Sequence, residues 1–545
     1  MSGQHKTLIA FKDLDQPDDT VRAVTTGEPL PVGVLGKTQG GDYLDVPVST
    51  SGKLHVDVPT TAFGELSVSE PNPVVQVSYP YNINPSLSQI FPANGGSVTH
   101  ADSMANLSTG TSSNGFGLLF TRDVIRYHPG QGALVRLTAL FTTGVADSEQ
   151  LAGAGNALNG LFFGYDGDTF GVLHRTGGET EVRSLDVSTA STTAEDITIT
   201  LNGIAVTDVT VTNSGDPTIT AREIASHPYF NIGEGWGAQA VGDRVDFISF
   251  QPGSKTGTYS LSGATTAVGT FSQTIEGVLP TDSWTAQTNW SEDVMDGTGL
   301  SGVTLDPTKG NVYQIRYQWL GYGVLHFYIE NPVSGDFQEV HRIEYSNTNT
   351  TPSLAQPSGA IWMSARNEGN TSNITVKTSS GAGFVEGKLD MLGLPETCSR
   401  LFTIGNTTDE TPILTIRNKQ IFQGTINQVR LELHTITLTS NLNDARGNTT
   451  FRIYEDAKPE TGTTYTDIDT NSSVVECDLA STAFDTSSAH IEGSFILSAT
   501  ESETIDITEI VRHVRPNGTI MITAQPSKGH GTNEVGATIN WKELF

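Results

Sequence analysis

Positive charge is what this sequence has least of. Its 30 Lys and Arg residues face 60 Asp and Glu, a formal net charge of −30. A surface of that sign repels polyanions, so direct nucleic-acid binding and adsorption to anionic membranes are disfavoured. Charge of either sign is sparse, at 17% of residues, below the quarter or so usual in globular chains. Cysteine occurs twice, at Cys398 and Cys477. Two cysteines make no disulfide framework, and the expectation is a pair of buried thiols rather than a redox couple. No run is long and apolar enough to cross a bilayer as a helix. The opening stretch MSGQHKTLIAFKDLDQPDD holds no apolar core of signal-peptide length, so synthesis in a cytoplasm without membrane insertion is expected. On that footing the sequons at Asn106, Asn289, Asn373 and Asn517 read as accidents of a Ser/Thr-rich composition.

Catalytic signatures are missing as well. The 12 histidines form no HExxH and no Cys/His cluster at zinc spacing. No GxSxG elbow occurs, and Gly153-Ala154-Gly155 lacks the strand-turn-helix setting and Lys of a phosphate cradle. Acidic residues cluster at Asp166 and Asp168, Glu292 and Asp293, and Asp336 and Glu339. Sequence does not pair them across a sugar as glycoside hydrolysis requires, and turn or surface roles account for them. Asp166-Gly167-Asp168 lacks the further spaced oxygens of a calcium loop and fits a hairpin turn. The expectation is a protein that is not an enzyme, with no cofactor, catalytic or metal site.

What the chain does have is 57 Gly, 24 Pro and 36% hydrophobic residues, the profile of all-β protein at a length that implies several domains. Its organising stretch is Asn311 to Glu330. Tyr313, Ile315, Tyr317 and Trp319 alternate with Gln314, Arg316 and Gln318. After Leu320-Gly321-Tyr322-Gly323, Leu325, Phe327 and Ile329 alternate with His326, Tyr328 and Glu330. Two period-2 runs around a short Gly-containing turn are a β-hairpin, and its apolar face demands a second sheet.

The remaining text divides around it. Residues 1–94 are punctuated by Pro and read as an extended arm that pairs with other chains, with a disordered tail as the alternative. Ala133 to Phe141, the runs flanking Asp166-Gly167-Asp168, and Glu181 to Val187 are strands that join 285–395 in one discontinuous β-sandwich, 95–190 plus 285–395. Residues 191–284 form an inserted α+β module, with strands around Asn202-Gly203 and a short helix opened by a capping box at Thr220-Ala221-Arg222-Glu223. Residues 396–545 make a C-terminal β-sandwich, with one helix expected over Ile507 to Val514. Four aromatics, Trp236, Trp284, Trp290 and Tyr322, are the candidates for a glycan-binding face, with core packing as the competing role.

The hairpin and the strands at 133–141 and 161–175 resemble the antiparallel jelly rolls of the concanavalin A and laminin G type. The wider layout, including FGELSVSEPNPVVQ, RYHPGQGALVRLTALF, GYDGDTFGVLHRTGGETEVRSL and GATINWKELF, resembles structural proteins of tailed bacteriophages and other large DNA viruses. That resemblance implies a non-enzymatic virion component, such as a head or tail fibre, a capsid decoration or a baseplate protein. Its implied partners are other virion proteins, further copies of itself in a homotrimer, and a host-surface glycan. A glycan-binding lectin or adhesin is the alternative, and a polysaccharide depolymerase a third.

Overall fold

The computed structural model describes residues 35–37, 43–45 and 71–545, apart from 128, 228–229, 231–234, 264, 387–392, 405–407, 424, 443–446, 461, 488, 509–512 and 528–532. Two compact units are present, Met1–Thr60 and Thr61–Phe545. In the first, Leu35–Lys37 pairs antiparallel with Tyr43–Asp45. The rest of the expected arm up to residue 70 lies outside the described residues.

The second unit is built from antiparallel sheets, with one α-helix among the described residues. The expected hairpin is there. Asn311–Tyr317 pairs with Leu325–Glu330 in the register Tyr313↔Ile329, Ile315↔Phe327 and Tyr317↔Leu325. Those six side chains are all at most 2% exposed. In the connection, Leu320 and Gly321 take φ of 37° and 83°, and the Gly323 N–H closes the turn on the Trp319 carbonyl at 2.7 Å. The hairpin sits in a nine-stranded sheet and is covered by a seven-stranded one, the second layer its apolar face requires. Phe163, from the seven-stranded sheet, fills the space between them, 4.7 Å from the Tyr313 ring and 5.4 Å from Phe327. This is a jelly-roll-like sandwich.

It starts earlier in the chain than the Pro-rich text implies. Pro71–Ser78 pairs with Ser380–Glu386, and Ser88–Ala93 pairs with Phe116–Thr121. Both are edge strands, where a residue without an N–H is tolerated. The Pro-rich stretch after residue 70 is therefore sandwich edge, not arm.

The inserted module also starts earlier than expected. Thr180–Thr189 pairs with Arg244–Pro252 and Val268–Ile275 in the module's own four-stranded sheet. By contrast, Thr281–Ala286 pairs with Thr169–Thr176 in the sandwich. The module's helix spans Pro217–Ala225 and is opened by Asp216, whose carboxylate accepts from the Thr218 N–H, with Pro217 in the first turn. Asp-Pro is the stronger start signal. The expected capping residue Thr220 is a buried helix residue, and Glu223 reaches back to the Thr212 N–H.

The C-terminal sandwich packs a four-stranded sheet on a six-stranded one, with Trp541 (1% exposed) at the centre. Cys398 lies on the first sheet and Cys477 on the second, and they form a disulfide across the core. The expected pair of free thiols is thus corrected: strands distant in sequence bring the two together through the sandwich interior. Of the helix expected over Ile507 to Val514, residues 509–512 lie outside the described residues.

Candidate functional site: a cleft beneath three modules

The outer face of the seven-stranded sheet is not left to solvent. One row of its ladder runs through Phe120, Trp362, Gly153, Phe162, Leu173 and Trp284. Phe116, Leu118 and Leu151 lie on the same face and complete a second apolar cluster, separate from the sandwich core. Two glycines let neighbouring strands approach here. A Cβ on Gly153 would sit 2.1 Å from the Leu161 carbonyl oxygen, and one on Gly164 1.8 Å from that of Gln150.

The face is also bent. In the ladder, Arg175 stands opposite Gly160 and Gly155 at one end, while Glu149 stands opposite Asp166 at the other. Yet Arg175 Nη2 donates to Glu149 at 2.9 Å, and its Nε and Nη2 donate to Asp282 at 2.7 and 2.6 Å. An ion pair between residues so placed requires the sheet to curl into a trough. Burial works against the Arg175 charge, but the bonds to Asp282 and the charge of Glu149 outweigh it and raise the guanidinium pKa. Nearby, burial and then the Glu149 charge push the Glu368 carboxyl upward.

The inserted module and the C-terminal sandwich wall this trough into a cleft of about 1700 Å³. Phe250 of the module approaches Phe91 of the sheet, ring centres 6.3 Å apart. The two walls are tied to each other: Arg417 Nη2 donates to the Ala240 carbonyl at 2.8 Å, the Gln420 N–H to Gln239 Oε1 at 2.9 Å, and Lys458 Nζ to the Ser226 carbonyl at 3.2 Å. On the floor, Trp362 stacks on Phe120 with ring centres 5.4 Å apart and planes 23° from parallel. Trp362 is 9% exposed, and its indole N–H is sealed from solvent without an acceptor. Arg366 lies over the Phe116 ring at 4.8 Å. Apolar ring faces beside fixed donors and acceptors are what a ligand pocket offers.

The four aromatics singled out from sequence do not meet. Trp236 (5% exposed) is in the inserted module's core. Trp290 (5% exposed) is in the main core, against Phe163 and Phe170. Tyr322 is on the surface of the hairpin turn, its hydroxyl donating to the Thr350 carbonyl at 3.1 Å. Only Trp284 belongs to the trough face, half-buried. The acidic pairs are structural: Asp293 accepts from the Met295 and Ser301 N–H groups, Glu292 pairs with Arg342, and Glu339 with His326. Among the described residues no group of three or more His, Cys, Asp or Glu side chains is placed to hold a metal ion.

Sequence reasoning passed over the residues that do converge, Phe120, Trp362, Arg366, Arg175 and Glu149. One signal was present. Ala360 to Arg366 alternates Ile361, Met363 and Ala365 with Trp362, Ser364 and Arg366, a face too aromatic for solvent and too polar for core.

No protein-family model matches this chain, and no curated protein does. Solved structures similar to it include the carbohydrate recognition domain of Emp47p, at 9% identity over 58% of this chain and 96% of that one, with a TM-score of 0.23. Lectin II from Ulex europaeus follows at 8% identity, 58% and 100% coverage and a TM-score of 0.20. An archaeal virus protein with a triple jelly-roll fold and a turret assembly aligns over 87% of this chain and 97% of its own, at 7% identity and a TM-score of 0.16. At such scores the superpositions establish neither common ancestry nor a shared activity.

Proposed function

We propose that the cleft binds a carbohydrate and that the chain is a non-enzymatic attachment component of a virion. The observation that carries the binding reading is the Phe120–Trp362 stack on the floor of a cleft that Ser364 and Arg366 also line. A sugar ring presents an apolar C–H face to an aromatic and hydroxyls to neighbouring donors and acceptors, which Arg366 and Ser364 supply here. Glycan-array screening followed by calorimetry on the full chain tests it. Saturable binding is expected, weakened about tenfold or more in Trp362→Ala, with Trp362→Phe in between because it keeps a ring of smaller area. No saturable glycan, or unchanged affinity in Trp362→Ala, would end this reading. Release of new reducing ends from a bound polysaccharide would overturn the non-enzymatic part, and Glu149 and Glu368 are the carboxylates to replace first.

The virion reading is favoured by the separate unit Met1–Thr60. Strands of three residues such as Leu35–Lys37 and Tyr43–Asp45 face an ordering cost of about 1–2 kcal/mol per residue, and pairing with the sheet edge of another chain would help to offset it. Deleting residues 1–60 is expected to leave the melting of the remainder unchanged while removing the protein from particles, as read by mass spectrometry of purified virions. Normal copy number in the deletion, or absence of the intact protein from particles, refutes it.

A further inference from the structure

Four arginines whose charges act on one another lie along the seam where the main sandwich touches the C-terminal one. Arg122 and Arg126 follow the strand Phe116–Thr121, Arg430 opens the strand Arg430–Asn441, and Arg515 comes from the turn before Thr519–Pro526. Arg430 Nη2 donates to the Arg122 carbonyl at 3.0 Å, and its Nη1 stands 4.0 Å from Asp123. Arg515 donates to Asp456 at 2.5 Å, and Arg122 Nε donates to the Pro85 carbonyl.

Arg126 is different. It is 9% exposed, and both of its Nη atoms are sealed from solvent with no hydrogen-bond acceptor. A buried charge is ordinarily paired. Burial and then the charge of Arg430 bring the Arg126 guanidinium down to about 9. Burial also lowers Arg430, to about 10, against the pull of Asp123 and with Arg515 adding to the fall. Four carboxylates, Asp123, Glu432, Glu455 and Asp456, lie near the four arginines, but none of them hydrogen-bonds the Arg126 Nη atoms. Asp456 is engaged by Arg515, and the Glu432 carboxylate, 3.4 Å from His434, acts on Arg126 through its charge without hydrogen-bonding it. Arg122 and Arg515 also line the cleft, which is bordered by eight basic and seven acidic side chains, in a chain with twice as many acids as bases.

We propose that Arg122, Arg126, Arg430 and Arg515 form an oxyanion site at this seam, beside the cleft, for a carboxylate, sulfate or phosphate group. Planar guanidinium forks match the paired oxygens of such groups, and an anion there would answer the two idle nitrogens of Arg126 and relieve the repulsion among the four. The oxyanion is either a substituent of the cleft's ligand or a free inorganic ion. The site does not depend on the carbohydrate reading, and an array without hits leaves it standing.

Thermal melting of the full chain in sulfate and in chloride at equal ionic strength tests the proposal. Sulfate is expected to raise Tm saturably by about 2–4 °C over chloride. Arg126→Gln and Arg430→Gln should each shift the half-saturating sulfate concentration upward at least tenfold. Glu432→Gln should lower it, because a competing carboxylate is gone. A glucuronate-bearing oligosaccharide acting at a tenth of the sulfate concentration assigns the oxyanion to the cleft's ligand, whereas one acting only at sulfate's own concentration assigns it to a free ion. Coincident sulfate and chloride curves, or wild-type sulfate response in both Gln variants, would overturn the site. So would a sulfate response seen in Glu432→Gln but absent from the wild type, which would mean that Glu432 already answers Arg126. Should Arg126→Gln fail to fold, Arg430→Gln and Arg126→Lys carry the same reading.

Discussion

Replacing Cys398 and Cys477 by Ser should lower the stability of the C-terminal sandwich by about 4.5 kcal/mol, the chain-entropy value for a closed loop of this length. The bond joins residues 79 apart and runs from the Leu394–Thr403 strand to the Val475–Asp478 strand across the sandwich core. Both half-cystines are nearly buried, at 6% and 5% exposure, so the two serines would also leave hydroxyls in apolar surroundings. The loss should therefore exceed that produced by reductant alone. Differential scanning calorimetry of the wild type, with and without reductant, and of the double Ser variant separates the two contributions. Identical melting in all three samples would show that the bond does not form, as would two free thiols per chain on alkylation of the unfolded protein. A disulfide persists in oxidising surroundings and is kept reduced in most cytoplasms, so the thiol count also reports the redox conditions the protein has met.

The disulfide marks the boundary of what was legible in the sequence. Local periodicity was informative wherever one strand follows another: Asn311 to Glu330 contains its own turn, its own alternation and its own demand for cover. The Asp166-Gly167-Asp168 turn is read the same way, and the structure joins Gly160–Asp166 to Thr169–Thr176 there with Gly167 at φ 59°. The pairing of Cys398 with Cys477 depends instead on which strands face each other across a sandwich, and no local pattern carries that. The prolines at 71, 73 and 92 illustrate a second limit. Each forbids a central strand, but edge strand and unpaired arm share the same signature, and only the partner strand distinguishes them. The helix start shows a third: Thr220 to Glu223 satisfies a capping pattern, yet Asp216-Pro217 four residues earlier satisfies a stronger one.

The cleft was the least legible feature because none of its parts is complete alone. Its floor comes from strands at 88–93, 116–121, 148–155 and 360–367. Its walls come from a module inserted between two strands of that same sheet and from a domain that follows it in sequence. Aromatic content alone does not distinguish a core from a floor. Trp236 and Trp290 fill cores, whereas Trp362 lies on a strand face shared with Ser364 and Arg366. Mixed polarity on one strand face is the more discriminating signal, because a solvated face has little use for the aromatic and a core has little use for the charge.

That composite construction makes Arg417 the residue whose loss should be felt most widely. It is 9% exposed, donates from Nε to Glu476 at 2.5 Å and from Nη2 to the Ala240 carbonyl at 2.8 Å, and lies 3.9 Å over the Tyr465 ring. One guanidinium thus neutralises a buried carboxylate (Glu476, 5% exposed) and pins the module's Trp236–Val241 strand to the C-terminal sandwich. Arg417→Met keeps much of the volume but strands the Glu476 charge and the Ala240 carbonyl, and should cost about 3–5 kcal/mol. Adding Glu476→Leu removes the stranded charge, so the double variant should melt above the single one, a coupling that an additive pair of substitutions cannot produce. Neither replacement restores the bond to Ala240. Hydrogen exchange across 236–252 should therefore rise in both variants, and any ligand of the cleft should dissociate faster from both. A double variant no more stable than Arg417→Met would show that Glu476 is answered without Arg417. Unchanged exchange at 236–252 would show that the cleft wall is held by its other contacts alone.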